Sequence, residues 1–247
     1  MTLSPSAEAS RERFNSLVED GAYGPGFTHP KPAQAFVGTV INELLQEMGG
    51  ETLSLSILDA GCGNGAWLHF LHELAASGRT APAVYGFDVA DRMVEAADQE
   101  LASLEAVVHV QRGDILDPAS YRFPDGRETF DLLFAYDVVQ QVPRNRQFDA
   151  IQRLTDAMKP GGRVVVFDHE RWSRYGLRMA FRKAITAKLG IQLVPRYFCA
   201  ASYPPLADMA RRISALPALT AEVVVKGHPR KRALVVRRAP ARGSKWF

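Results

Sequence analysis

Two carboxylates and a cluster of glycines carry the most chemistry in this chain. Asp59, Gly61, Gly63 and Gly65 fall within ILDAGCGNG (57–65), and Asp88 closes the apolar run AVYGFDV (83–89). Glycines at that density let the backbone turn tightly and approach a ligand without interference from Cβ. The loop follows an apolar strand and opens a helix, the context that gives a glycine-rich loop its meaning. A helix start offers free N–H groups and the positive end of a dipole. Asp88, at the end of the next strand, can accept hydrogen bonds from both ribose hydroxyls of an adenosine-type ligand.

That much fits NAD, FAD or S-adenosylmethionine (SAM). In a G-x-G-x-x-G reading the third glycine position is Ala66, which dinucleotide sites tolerate, so spacing alone leaves the choice open. Asp59 discriminates further. A carboxylate two residues before the first glycine repels a pyrophosphate and suits the cationic amino group of a methionine moiety. Candidates for proton transfer come from the strand ends, where ligands of such folds meet. His169 directly follows a strand in FDHERW, and an imidazole titrates near neutrality, so it is the first candidate for a general base. A hydrogen bond from His169 to the backbone of a lid is an equal alternative. Asp137, closing FDLLFAYD (130–137), can accept a proton, bind an amine or cap the following loop.

The elements that must position these residues alternate. Strands are expected at 55–60, 83–89, 106–111, 130–137 and 163–169, with a KPGG turn at 159–162. Helices are expected at 33–48, 66–77, 91–104 with Asp91 as N-cap, and about 145–158. Such alternation implies an α/β fold with a mostly parallel, doubly wound sheet. Residues 1–20 are polar and helical or frayed, and the glycines and prolines of 21–32 forbid regular structure. After Asp168 the rhythm breaks into a helical stretch interrupted by Pro195, Pro204 and Pro205. AEVVVKGH (221–228) and RALVVRRA (232–239), joined by a short turn, read as an antiparallel hairpin. The expected division is an N-terminal cap (1–50), a cofactor-binding core (51–170), a helical lid (171–218) and a C-terminal hairpin completing the sheet (219–247).

In order along the chain, ILDAGCGNG, GFDVADRMVEAA (86–97), GDIL (113–116), FDLLFAYDVVQQVP (130–143) and MKPGGRVVVFD (158–168) resemble the successive motifs of class I, Rossmann-like SAM-dependent methyltransferases. The resemblance covers roughly half of the chain. It implies a seven-stranded sheet with an antiparallel C-terminal strand, and SAM as methyl donor with S-adenosylhomocysteine (SAH) as product. It also implies roles by position. Asp59, Gly61 and Gly63 would hold the methionine end, Asp88 the ribose, Val89 and Ile115 the adenine ring and Asp114 its amino group. Tyr136 would lie beside the sulfonium. Gln140, Gln141, Trp172 and the turn residues Tyr23, Phe27 and His29 would contact the acceptor, with simple packing the competing reading for the last three.

Composition narrows the function class. The chain has 247 residues, a net charge of +3 and a pI near 8.9, too mildly basic by itself to argue for nucleic acid. Cys62 and Cys199 make no disulfide framework, no apolar run spans a bilayer, and the N-terminus lacks a signal-peptide core, so a cytoplasmic protein is expected. Neither an Asn-Pro-Pro-Tyr-type motif nor a Pro-Cys nucleophile is present, against methylation of DNA bases. No Cys/His cluster has metal spacing, so no metal is expected. From Trp172 to Leu189 an apolar line, Leu177, Phe181, Ile185 and Leu189, runs beside a basic one, Arg171, Arg174, Arg178 and Arg182. The basic line reads as a solvated face, as recognition of an acidic substrate group, or as contact with RNA or an anionic membrane. The favoured function is methylation of a small molecule on O, N or C by a monomer or homodimer. An RNA or protein methyltransferase and a non-catalytic SAM-binding module are the alternatives.

Overall fold

Residues 3–21, 29–49, 55–77, 81–104, 106–191, 193–194 and 200–240 are described, from a computed structural model. Seven strands form one sheet: β1 (Ser56–Ala60), β2 (Ala83–Asp88), β3 (Val108–Arg112), β4 (Phe130–Tyr136), β5 (Met158–His169), β6 (Leu219–Val224) and β7 (Lys231–Arg238). Their order is β3-β2-β1-β4-β5-β7-β6. All neighbours are parallel except β7, which runs antiparallel to both β5 and β6. The expected mixed sheet and C-terminal hairpin are therefore both present. The order reverses between β1 and β4, the place where an open α/β sheet leaves a crevice for ligands.

The core follows from strand parity, since successive side chains point to opposite faces. Leu58, Leu133, Val164 and Leu234 pack on one face with α5 (Gln147–Asp156) and α7 (Leu206–Ser214). Their neighbours Ile57, Leu132, Val165 and Val235 pack on the other, with α2 (Lys31–Glu47) and α3 (Ala66–Ala76). Both faces are covered, which is why these strands read as unbroken apolar runs.

Some boundaries differ from the sequence expectation. Helix α2 starts at Lys31, because Pro32 fits the first turn, where its missing N–H costs nothing. Helix α4 (Asp91–Leu101) is capped by Ala90, and Asp91 is its first helical residue. The Asp91 carboxylate is instead paired with Arg11 and Arg112. The KPGG turn is absorbed into β5 as a break in register, with Phe130 opposite Met158 and Leu132 opposite Arg163. The N-terminal segment is a capped helix, α1 (Pro5–Glu19): the Ser4 hydroxyl accepts from Ala7 N and Pro5 starts the helix. Beyond β5, α6 (Arg174–Leu189) and α7 are separate helices, with Pro204 and Pro205 just before α7.

Candidate active site

At the end of β1 the chain must reverse into α3 within a few residues. Gly61 N and Cys62 N both donate to Phe87 O at the end of β2, at 2.7 and 3.0 Å, which pins the loop to the neighbouring strand. Gly61 has φ +88°, and a Cβ there would meet Val138 Cγ2 at 2.4 Å. Only glycine satisfies both constraints. The loop in turn orders Asp88: Gly63 N donates to Asp88 Oδ2 at 3.0 Å and Ala90 N to Oδ1 at 2.9 Å. Each oxygen keeps further acceptor capacity for a ligand hydroxyl.

Asp59 is the unusual member. It is 1% exposed, and neither carboxylate oxygen has a hydrogen-bond partner among the described residues. Burial, and then the charge of Asp88, push its carboxyl well above the ordinary range. An unpaired buried carboxylate costs several kcal/mol, so such groups are rare outside functional sites. A cationic amino group is the partner that relieves the cost, and in this respect the residues present fit SAM.

A second group of residues gathers where β4, β5 and β7 meet. Asp137 adopts φ +61°, a conformation uncommon away from glycine and tolerated best by Asp and Asn. Its Oδ1 accepts from Gln140 Nε2 at 2.7 Å and is paired with Lys231 Nζ. Lys231 is 5% exposed, and its ammonium lies 4.4 Å from the centroid of the Tyr136 ring. Asp168 is buried, accepts from the backbone N–H of Gln140 and His169, and is held above the ordinary carboxylate range by burial and the neighbouring Asp137. His169 lies opposite Lys231 across the β5–β7 ladder. Its ring is 4.7 Å from Tyr175 and 4.8 Å from Tyr203, and burial followed by Lys231 lowers its pKa to about 4, below the near-neutral value expected from the sequence, which makes it a weaker base than a free imidazole. Its Nδ1 is 3.1 Å from Arg230 O. A carbonyl only accepts, so Nδ1 carries the proton and Nε2 is the basic nitrogen of the neutral ring.

Both groups border one cavity of about 520 Å³. Of the residues singled out in the sequence, Gly61, Gly63, Asp88, Val89, Asp114 and Ile115 line one part of it. His29, Tyr136, Asp137, Gln140, Gln141 and His169 line another. Asp59, buried near the end of β1, is not among the lining residues. Asp114 also serves its own turn, with Oδ1 accepting from Leu116 N at 2.9 Å. The His29 ring stacks on Trp67 at 4.2 Å and 14°, and burial lowers its pKa to about 4. Trp172 departs from expectation: it is 59% exposed and outside the cavity lining, in the turn that leads into α6. Tyr23 and Phe27 fall outside the described residues.

Sequence reasoning missed several lining residues. Lys231 arrives through the antiparallel register of β7, Arg230 and His228 through the turn before it, and Tyr175 through the first turn of α6. Ala7, Ser10, Phe14 and Leu17 of α1 cover the cavity from the N-terminal side. Their three- and four-residue spacing was the available signal for that face.

A doubly wound sheet with reversed strand β7, a pinned glycine loop and an acidic strand end is an arrangement suited to a nucleoside cofactor. Residues 57–162 match the family model described as a methyltransferase domain. The fold is shared with magnesium protoporphyrin IX methyltransferase from Synechocystis PCC 6803 with bound SAH, at 21% identity and a TM-score of 0.64 over 95% of this chain and 100% of that one. It is shared also with a SAM-dependent methyltransferase from Anabaena variabilis ATCC 29413 (16% identity, TM-score 0.64, 96% of each chain). A third is the DhpI–SAH complex (16%, 0.59, 97% of this chain and 100% of that one). No curated protein matches the sequence. Residues 57–162 thus carry a methyltransferase domain, and the chain around them shares the fold of these SAM- and SAH-binding proteins.

Proposed function

We propose that this enzyme transfers a methyl group from SAM to a small, flat, largely apolar acceptor carrying an ionisable O–H or N–H, with His169 as general base. The observation that supports it is the shared cavity, which the glycine-loop residues and His169 both line. Bound SAM would supply an electrophilic methyl on sulfur. Asp59 would bind its amino group, Asp88 the ribose hydroxyls, Asp114 the adenine amino group, and Val89 and Ile115 would flank the ring. On the acceptor side, Tyr136, His29, Trp67 and Tyr175 offer aromatic surface. His169 Nε2, neutral at pH 7, would take the acceptor proton, while the Arg230 carbonyl fixes the tautomer. Lys231 and Asp137, already paired, would hold the site polar without adding net charge. Two proteins of this fold fit the reading: one is described as a methyltransferase of magnesium protoporphyrin IX, and both it and DhpI are described with SAH bound.

The test is methyl transfer from isotopically labelled SAM to a panel of phenols, aromatic acids and macrocyclic pigments beside mixed RNA and mixed protein. Label in a small aromatic acceptor, lost in His169→Asn, supports the reading. Label confined to RNA or protein would sink it.

A further inference from the structure

Helix α6 buries almost nothing. Only Gly176 and Met179 are buried along its 16 residues. Gly176 packs tightly on the preceding chain: a Cβ there would lie 2.3 Å from Glu170 O. Five of the seven exposed large apolar residues among the described residues fall in this short region: Trp172, Leu177, Phe181, Leu189 and Ile191. The apolar line that the sequence shows at four-residue spacing therefore faces outward, with Phe181, 68% exposed, at its centre.

The charge around that line has one sign. From Arg171 to Ala207 the sequence contains seven Arg and Lys and no Asp or Glu. Arg174, Arg178 and Lys188 are exposed, one helical repeat or less from Phe181, and have no carboxylate partner among the described residues. Apolar side chains and cations share this outward face, over about 18 Å from Leu177 to Leu189 at 1.5 Å per residue, a combination that suits a helix face resting on an anionic lipid interface. No helix of the described residues is long and apolar enough to cross a membrane, so the pattern is one of surface seating. A second copy of the chain is a poor occupant, since pairing this face with itself would oppose Arg174, Arg178 and Lys188 to one another. Nucleic acid would use the cations and leave Leu177, Phe181 and Leu189 in water.

We infer that α6 seats the enzyme on an anionic lipid surface, with Leu177, Phe181 and Leu189 entering the headgroup boundary and Arg174, Arg178 and Lys188 meeting lipid phosphates. This goes beyond methyl transfer and stands on the helix alone. Its consequence for the active site is positional. Tyr175, in the first turn of α6, lines the cavity beside His169. Seating would bring that side of the cavity close to the bilayer, where an apolar acceptor partitions.

The experiment is flotation of the full chain with vesicles of phosphatidylcholine alone or with about a third phosphatidylglycerol. Binding is expected to the anionic vesicles only, weakening steeply with salt. Arg174→Gln and Arg178→Gln together should weaken it by roughly 25-fold, about fivefold per cation. Leu177→Ser with Phe181→Ser should abolish it, with circular dichroism and SAH affinity unchanged because both residues are exposed. Trp172 fluorescence, isolated by difference from Trp172→Phe, should shift to the blue on binding. Absence of binding to anionic vesicles at low salt overturns the inference. So does equal binding by the Leu177/Phe181 variant, a dimer that this variant dissolves, or retention on mixed RNA without vesicle binding.

Discussion

The cofactor half and the acceptor half of the cavity are built by opposite means. Most of the cofactor half comes from contiguous chain: β1, its glycine loop and β2 lie within 56–88, closed locally by backbone hydrogen bonds from Gly61 and Cys62 to Phe87, with Asp114 and Ile115 added from beyond β3. The acceptor half gathers Tyr136, His169, Tyr175 and Lys231 from four elements, three of them paired strands, with one ion pair and a few hydrogen bonds linking the side chains. Local closure makes a site that one substitution disables at the binding step. Long-range assembly makes a site whose parts can be removed for chemistry while binding survives.

The sharpest way to break that contrast is His169→Asn. Loss of a general base costs roughly 10²- to 10⁴-fold in kcat. SAH affinity, measured by calorimetry, should be unchanged. A variant that loses SAH binding in parallel with kcat would show the two halves to be one unit.

Asp59→Asn tests the other half. The substitution keeps the shape and removes the charge proposed to meet the amino group, so on that proposal SAH affinity should fall by roughly 10²- to 10³-fold, the scale of a broken buried pair. Thermal stability should not fall, because the carboxylate has no partner among the described residues to lose. The wild-type protein should also show proton linkage. Burial and Asp88 hold the Asp59 carboxyl above its ordinary range, so it binds a proton when alone and releases one when a cation arrives. SAH affinity should rise with pH, and calorimetry in buffers of different ionisation enthalpy should register the released proton.

These halves differ equally in how far the sequence reveals them. Asp59, the glycines and Asp88 are legible because strand, loop and helix follow one another in the order that gives them meaning. Asp91 shows the limit even there: an acidic residue at a helix start reads as an N-cap, and only its distance to Arg11 and Arg112 shows it spent on ion pairs. Lys231 was illegible because its place beside His169 depends on the register of an antiparallel pair, which the hairpin pattern fixes only to within a residue or two. For α6 the periodicity of Leu177, Phe181 and Leu189 was plain, yet a period does not say which face meets the protein. Burial alone answers that, and the answer is the reverse of the ordinary one.

Stability against pH separates the halves next. The His169 pKa falls from the ordinary 6.5 to about 4 in the folded chain. A depressed folded value means stability is full above pH 6.5 and is lost as pH falls toward 4, because the unfolded chain takes up the proton first. That loss amounts to roughly 3 kcal/mol at about 1.4 kcal/mol per pH unit. Denaturant titration of wild type and His169→Asn between pH 7 and 4 should show a steeper fall in the wild type. Parallel curves would mean that the imidazole is less confined than its contacts with Tyr175, Tyr203 and Arg230 imply.

The smallest expected effect concerns α1, which covers the cavity while burying none of its own residues completely. It is tied down by Arg11 to Asp91 at 2.9 Å, by Asn15 accepting from Arg92 N at 3.0 Å, and by Arg13 to Gln141 at 2.9 Å. Such half-exposed polar ties are individually weak and screened by salt. A cover held this way opens more readily than the sheet beneath it. Arg11→Gln should therefore speed SAH release by roughly two- to fivefold and leave the association rate and melting temperature unchanged, as stopped-flow displacement and calorimetry can measure. Raising salt should speed release from the wild type and have less effect on the variant. An equal effect of salt on both would place the release barrier in the pinned glycine loop rather than in the cover, and would make the cofactor half slow for the same reason that it is legible.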